Sequence, residues 1–164
     1  MAEQMSFTDA IALGDYVLAP RPMEITPTRR VLLVEDEELI REILAEELRE
    51  EGFEVIEAGT GDEAIRLLEE HADFDVVCTD VRMPGKADGI DVAVHARGRI
   101  PTVPVLVVSG YASELGRRLE AVTPRAAFLP KPFRFSQVSQ ALRALLPAYE
   151  SHSVGMSRTG SRDV

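Results

Sequence analysis

Between residues 30 and 146, short apolar runs alternate with longer stretches whose apolar residues recur at helical spacing. The runs at 31–34, 54–57, 75–79, 104–108 and 126–129 predict strands, and the stretches 37–51, 61–71, 89–98, 112–122 and 135–146 predict helices. In the first helix Ile40, Ile43, Leu44 and Leu48 share a spacing that suits a core face, with Glu and Arg elsewhere. Gly52 follows as a helix-ending residue. The second helix repeats the pattern with Ala64, Leu67 and Leu68 after Thr60-Gly61-Asp62-Glu63, whose acids suit a helix N-terminus. The strands do not alternate apolar and polar; Val105-Leu106-Val107-Val108 is apolar throughout. Such strands are covered on both faces, which is the mark of a parallel sheet between helices. Five strand–helix units thus predict an α/β fold, a three-layer α/β/α sandwich around a five-stranded parallel sheet.

The flanks read differently. Residues 1–29 carry scattered apolar positions (Phe7, Ile11, Leu13, Val17, Leu18) and then Pro20, Pro22 and Pro27. They are expected to form an arm or linker, partly disordered, with Met23 as an alternative start. The small, polar stretch 148–164 is expected to be a disordered tail. A single domain at 30–147 lies between them, and a chain of 164 residues with 45% apolar content is large enough to bury a core. No apolar run approaches the ~18 residues of a membrane span. No basic segment leads into a continuous apolar N-terminal core, so a cytoplasmic protein is expected. Cys78 is the only cysteine and lies inside an apolar run, where it reads as a small buried hydrophobe. The net charge of −10 argues against nonspecific nucleic-acid binding, which depends on basic patches. Neither flank is long enough to hold a helix-turn-helix or an enzymatic effector.

Right-handed crossovers bring every strand's carboxyl end to one edge of the sheet. Glu35 and Asp36 follow the first strand, Asp80 the third, Ser109 the fourth and Lys131 the fifth. Three carboxylates brought together repel one another, and a hard, oxygen-seeking cation such as Mg²⁺ relieves the repulsion. Lys131 adds an ammonium charge and Ser109 a hydroxyl. A carboxylate nucleophile with metal, lysine and hydroxyl is the equipment for forming an aspartyl phosphate. Each residue alone also has a plainer reading. Asp80 could be a surface acid, Ser109 a helix N-cap, Lys131 an exposed lysine, and Glu35 and Asp36 acids at a helix N-terminus. Convergence on one edge favours the chemistry. Glu37 and Glu38 read as a solvated first turn, and His71, His95 and His152 lie outside the constellation.

Four motifs carry a family resemblance: Val-Leu-Leu-Val-Glu35-Asp36-Glu37, Thr79-Asp80-Val81-Arg82-Met83-Pro84-Gly85, Val107-Val108-Ser109-Gly110 and Leu129-Pro130-Lys131-Pro132-Phe133. In order and spacing, the stretch from about Arg30 to Leu146 resembles a receiver domain of the two-component response-regulator family. The resemblance implies the flavodoxin-like strand order 2-1-3-4-5. It implies that Asp80 is the phosphoacceptor and that Glu35, Asp36, Asp80 and the backbone carbonyl of Arg82 hold Mg²⁺. Ser109 and Lys131 would grip phosphoryl oxygens, and the Lys131–Pro132 bond would be cis. Phe128 matches the aromatic whose inward rotation accompanies phosphorylation. Two departures stand out: Tyr111 brings a second aromatic near the site as an alternative switch, and the turn from Pro84 to Gly89 is one residue longer than the commonest form. Arg82 and Tyr111 would flank the attacked phosphorus.

The function so implied is a stand-alone signalling switch. A histidine kinase or phosphotransfer protein would phosphorylate Asp80, altering binding of an unknown protein target through the face made by the fourth helix, fifth strand and fifth helix. No membrane or direct nucleic-acid partner is expected, and homodimerisation is left open. Nothing resembles a kinase ATP site, so the chain is not expected to be an enzyme beyond gaining and losing its own phosphoryl group. A phosphatase of the haloacid-dehalogenase type would need a second acid where Arg82 stands. A receiver-like scaffold acting without phosphorylation is the other alternative.

Overall fold

The strands are β1 (Arg29–Val34), β2 (Phe53–Ala58), β3 (Val76–Asp80), β4 (Val105–Ser109) and β5 (Ala126–Pro130). Helices α1 (Glu38–Glu50), α2 (Gly61–Glu70), α3 (Gly89–Arg99) and α4 (Phe135–Leu145) connect or follow them. This computed structural model describes residues 28–110, 118, 120, 122 and 124–147. All five strands are parallel, in the order β2-β1-β3-β4-β5. The order reverses at β1, which has β2 on one side and β3 on the other. The carboxyl ends of β1 and β3 therefore flank the crevice where open α/β sheets hold ligands.

Alternate residues of each central strand enter opposite cores, which explains the continuous apolar runs. Leu32, Val34, Val77, Val105 and Val107 pack on one face with Ala64 and Leu68 of α2 and Val92, Ala93 and Ala96 of α3. Val31, Leu33, Val76, Cys78, Leu106 and Val108 pack on the other with Leu44, Ala45 and Leu48 of α1 and Val138 and Leu142 of α4. Burying a Leu or Val in such a layer contributes about 1.5–3 kcal/mol. The edge strands are less covered: Glu54 of β2 is exposed, and Ala126–Leu129 of β5 are only half-buried.

Local chemistry sets the helix ends. The Arg49 carbonyl at the end of α1 accepts from Gly52 N–H at 3.0 Å, with Gly52 at φ 88°, a conformation only glycine adopts without cost. The Thr60 hydroxyl accepts from Glu63 N–H at 3.1 Å and starts α2. Asp88 caps α3 by accepting from the N–H groups of Ile90 and Asp91, while the Asp91 carboxylate accepts from Asp88 N–H. Ile43, grouped with the core face by its spacing, is instead exposed. Leu44, Ala45 and Leu48 fill the sheet-facing side of α1, and Ile43 projects from its far edge. Of the predicted helix at 112–122 only Arg118, Glu120 and Val122 are described, the first two being helical. The expected arm, up to residue 27, and the expected tail at 148–164 lie outside the described residues. Among the described residues no helix is long and apolar enough to cross a membrane.

Candidate functional site

Strand geometry delivers each acid. Asp80 is the last residue of β3, with Thr79 N-terminal to it fully buried, and Glu35 directly follows β1. Glu35 N–H donates to the Ala58 carbonyl at 3.1 Å, extending the β1–β2 ladder by one residue before the chain turns. The Glu35 carboxylate stays inside the turn, 3% exposed, with Oε1 accepting from Glu37 N–H at 3.2 Å. Asp36, next along, is half-buried. Asp80 is 8% exposed, and Glu35, Asp36 and Asp80 each offer an oxygen within 4.8 Å of the others.

The two oxygens of Asp80 have different partners. Oδ1 accepts from Arg82 N–H at 3.1 Å, and Oδ2 pairs with Nζ of Lys131. Lys131 Nζ also lies 3.5 Å from Oε2 of Glu35. Its backbone is held as well, because Lys131 N–H donates to the Ser109 carbonyl at 2.9 Å. The Lys131–Pro132 peptide is cis. Ser109 ends β4 and is buried. Phe128 lies on β5, half-buried, against the core cluster shared with α2 and α3. Tyr111 lies outside the described residues. Four groups predicted from distant sequence positions, Glu35, Asp36, Asp80 and Lys131, thus meet at one sheet edge.

The electrostatics follow from this crowding. Burial pushes the Glu35 carboxyl above its usual range; the Glu37 N–H bond draws it back, and neighbouring Asp80 pushes it up again. Burial also works against the charge of Lys131. The hydrogen bond and attraction of Asp80, with Glu35 behind, outweigh that cost and hold the ammonium above the ordinary lysine range. Cys78, beneath the site, is pushed up to about 12 by burial and by the nearby acids, so it stays an inert thiol. The donor set is hard oxygen at a partly open position, which suits Mg²⁺, a cation that keeps several waters and takes few protein ligands. The arrangement therefore fits that metal.

Some residues that shape the site were not singled out from the sequence. Gly89 starts α3 directly over Asp80: a β-carbon there would stand 1.8 Å from the Asp80 carbonyl oxygen. Only glycine permits that approach. Asp88, before it, receives a bidentate Arg118 at 2.7 and 3.1 Å. Burial opposes the Asp88 charge, but Arg118 and the capping N–H groups hold its carboxyl below the usual range. Asp88-x-x-Asp91 ahead of an apolar run was a readable capping signal. Arg118 carried no comparable signal. In the loop between β3 and α3, Gly85 has φ 122° and Lys86 N–H donates to Asp62 of α2 at 3.1 Å, so the loop is tied to a neighbouring helix.

Comparison with known proteins agrees with this geometry. The response regulator receiver domain family matches residues 31–143. The transcriptional regulatory protein PdtaR of Mycobacterium tuberculosis is 46% identical over 116 residues, which are 70% of this chain and 55% of that protein. The chain thus spans about half the length of the curated relatives it matches. The crystal structure of a response regulator receiver protein from Sinorhizobium medicae is similar with a TM-score of 0.68 at 31% identity, covering 74% of this chain and 97% of that one. The response regulator TrrA of Thermotoga maritima, solved in complex with Mg²⁺-BeF, gives 0.63 at 30% identity, covering 73% and 100%. With the 2-1-3-4-5 sheet and an acid cluster facing a lysine at its carboxyl edge, this chain belongs to the response regulator receiver family of two-component systems.

Proposed function

We propose that Asp80 accepts a phosphoryl group from a histidine kinase or phosphotransfer protein and that the modified domain changes which proteins it binds. Receiver domains generally act as signalling switches rather than enzymes and interact with such kinases or phosphotransfer partners. The observation that carries the reading is the placement of the Asp80 carboxylate between Lys131 and two further acids at the β1–β3 crevice.

Asp80 is the nucleophile in this reading. Arg82 N–H holds Oδ1 and so fixes the carboxylate plane. Lys131 is the cation ready to meet a phosphoryl oxygen once Asp80 is modified, and the Ser109 hydroxyl, at the end of the adjacent strand, meets another. Glu35, Asp36, Asp80 and the carbonyl of Arg82 would hold Mg²⁺. The bound ion supplies positive charge that offsets the phosphoryl oxygens and the three carboxylates. Asp80 gains and loses its phosphoryl group within this same pocket. Residues 30–147 form the phosphorylatable unit.

Phosphorylation shifts an equilibrium between two arrangements of the domain. The aromatic that responds is Phe128, Tyr111 or both. The output face is residues 112–122 with β5 and α4, next to Ser109 and Lys131, and its partner is a protein. Support for this face is adjacency: Lys131 immediately follows β5, and its N–H holds the end of β4.

Incubating the wild-type chain and Asp80→Asn with acetyl phosphate, with and without Mg²⁺, tests the assignment. Wild type should take up phosphoryl only with Mg²⁺, and the variant should take up none. Labelling that persists in Asp80→Asn would sink it.

A further inference from the structure

A cation beside the acidic pocket has no part in the chemistry above. Arg41 of α1 is largely buried, with its side chain 18% exposed. Its Nη1 donates to the backbone carbonyl of Glu35 at 2.8 Å. Its Nε lies 3.6 Å from Oε2 of Glu57 on β2. The guanidinium also lies against Gly59, where a β-carbon would meet Nη1 at 3.2 Å. One planar group therefore ties the turn after β1 to the end of β2. The β2 side of the tie is itself fixed: Glu57 also takes Arg49 at 2.8 Å, and Gly59 N–H donates to the Glu63 carboxylate at 2.9 Å.

The carbonyl that Arg41 holds belongs to the peptide unit joining Glu35 to Asp36. The orientation of that plane sets how the two carboxylates stand relative to each other and to Asp80. Glu35 N–H and Oε1 have their own anchors, at Ala58 and Glu37, so the carbonyl is the remaining point at which the turn can rotate. Arg41 closes that freedom.

Two effects on a divalent cation oppose each other. The positive charge of Arg41 disfavours cation binding nearby, while its grip on the turn holds the acids in place. Glu57, shared with Arg49, offsets part of the charge effect from the other side. Positioning therefore outweighs repulsion. We propose that Arg41 is a positioning residue for the Glu35–Asp36 pair and sets the affinity of the pocket for Mg²⁺, an inference that rests on the pocket being a Mg²⁺ site.

Calorimetric titration of Mg²⁺ into the full chain, with melting curves recorded in EDTA, tests it on wild type, Arg41→Met and Arg41→Lys. Arg41→Met should weaken Mg²⁺ binding about tenfold, the scale of losing an outer-shell partner, with a cooperative melt retained. Arg41→Lys keeps the charge and one donor but loses the fork, so it should bind several-fold more weakly than wild type and more tightly than Arg41→Met. If charge alone mattered, Arg41→Met would bind more tightly than wild type; that result, or affinity within about twofold of wild type, overturns the proposal. Should Arg41→Met lose its cooperative melt, Arg41→Lys decides by the same twofold criterion. A wild-type chain that takes up no Mg²⁺ overturns the pocket reading together with this inference, whereas normal uptake by both variants sinks the inference alone.

Discussion

Gly89→Ala tests the fold and the site together. The added methyl would lie 1.8 Å from the Asp80 carbonyl oxygen, 2.6 Å from its carbon and 2.8 Å from Oγ1 of Thr79. Ordinary contact begins at 3.4 Å, so the first turn of α3 would have to withdraw by about 1.6 Å. The opposing atoms are mostly backbone of a buried central strand and have no way to yield. Withdrawal breaks the 3.0 Å bond from Gly89 N–H to the Val81 carbonyl, worth about 1 kcal/mol. It also disturbs the Asp88 cap, worth about 1 kcal/mol more. With overpacking of about 1–3 kcal/mol, the total is roughly 3–5 kcal/mol. For a domain of this size that lowers the melting midpoint by at least about 10 °C. Gly98→Ala is the matched control: it lies in the same helix with nothing within 4 Å of a β-carbon. It should be neutral or stabilising by up to about 1 kcal/mol. Thermal melts of the three proteins give the answer. A Gly89→Ala midpoint within about 3 °C of wild type would refute the packing argument.

Two further outcomes follow from particular groups. Because the folded Glu35 holds its proton more tightly than the unfolded chain does, metal-free protein should lose stability as pH rises from 4.5 through the raised Glu35 value. Glu35→Gln removes that penalty, so in EDTA it should be more stable than wild type above this window and equal to it below. Denaturant unfolding from about pH 4 to 8 checks this, and a variant no more stable than wild type at neutral pH contradicts it. Thr60→Ala deletes the acceptor for Glu63 N–H and should cost about 1 kcal/mol, seen as a fall of about 4 °C in the melting midpoint. An unchanged midpoint would mean that water caps α2 equally well.

Element type was readable wherever a segment's own residues decide it. β3 is apolar over Val76–Cys78 and β4 over Val105–Val108 because helices cover both faces, and the helices announce themselves by spacing and caps. Burial was less readable. Ala126–Leu129 is as apolar as β4, yet it remains half-buried because it stands at the sheet edge with a strand on one side only. Ile43 shows the same gap: its spacing fitted the core, but Leu44, Ala45 and Leu48 fill the buried side of α1 and Ile43 is left exposed.

The site divides along that line. The meeting of Glu35, Asp36, Asp80 and Lys131 was legible because strand carboxyl ends collect at one edge. The contacts of Arg41 with Glu35 and Glu57, of Arg118 with Asp88 thirty residues away, and of Gly89 with Asp80 were not. Hydrophobic period, caps and turns are local properties, so the order of residues alone determined the elements and the chemical groups they present. Which helix face reaches which loop depends on how elements cross in space, a sum over contacts between distant residues, and only the tertiary structure decided it.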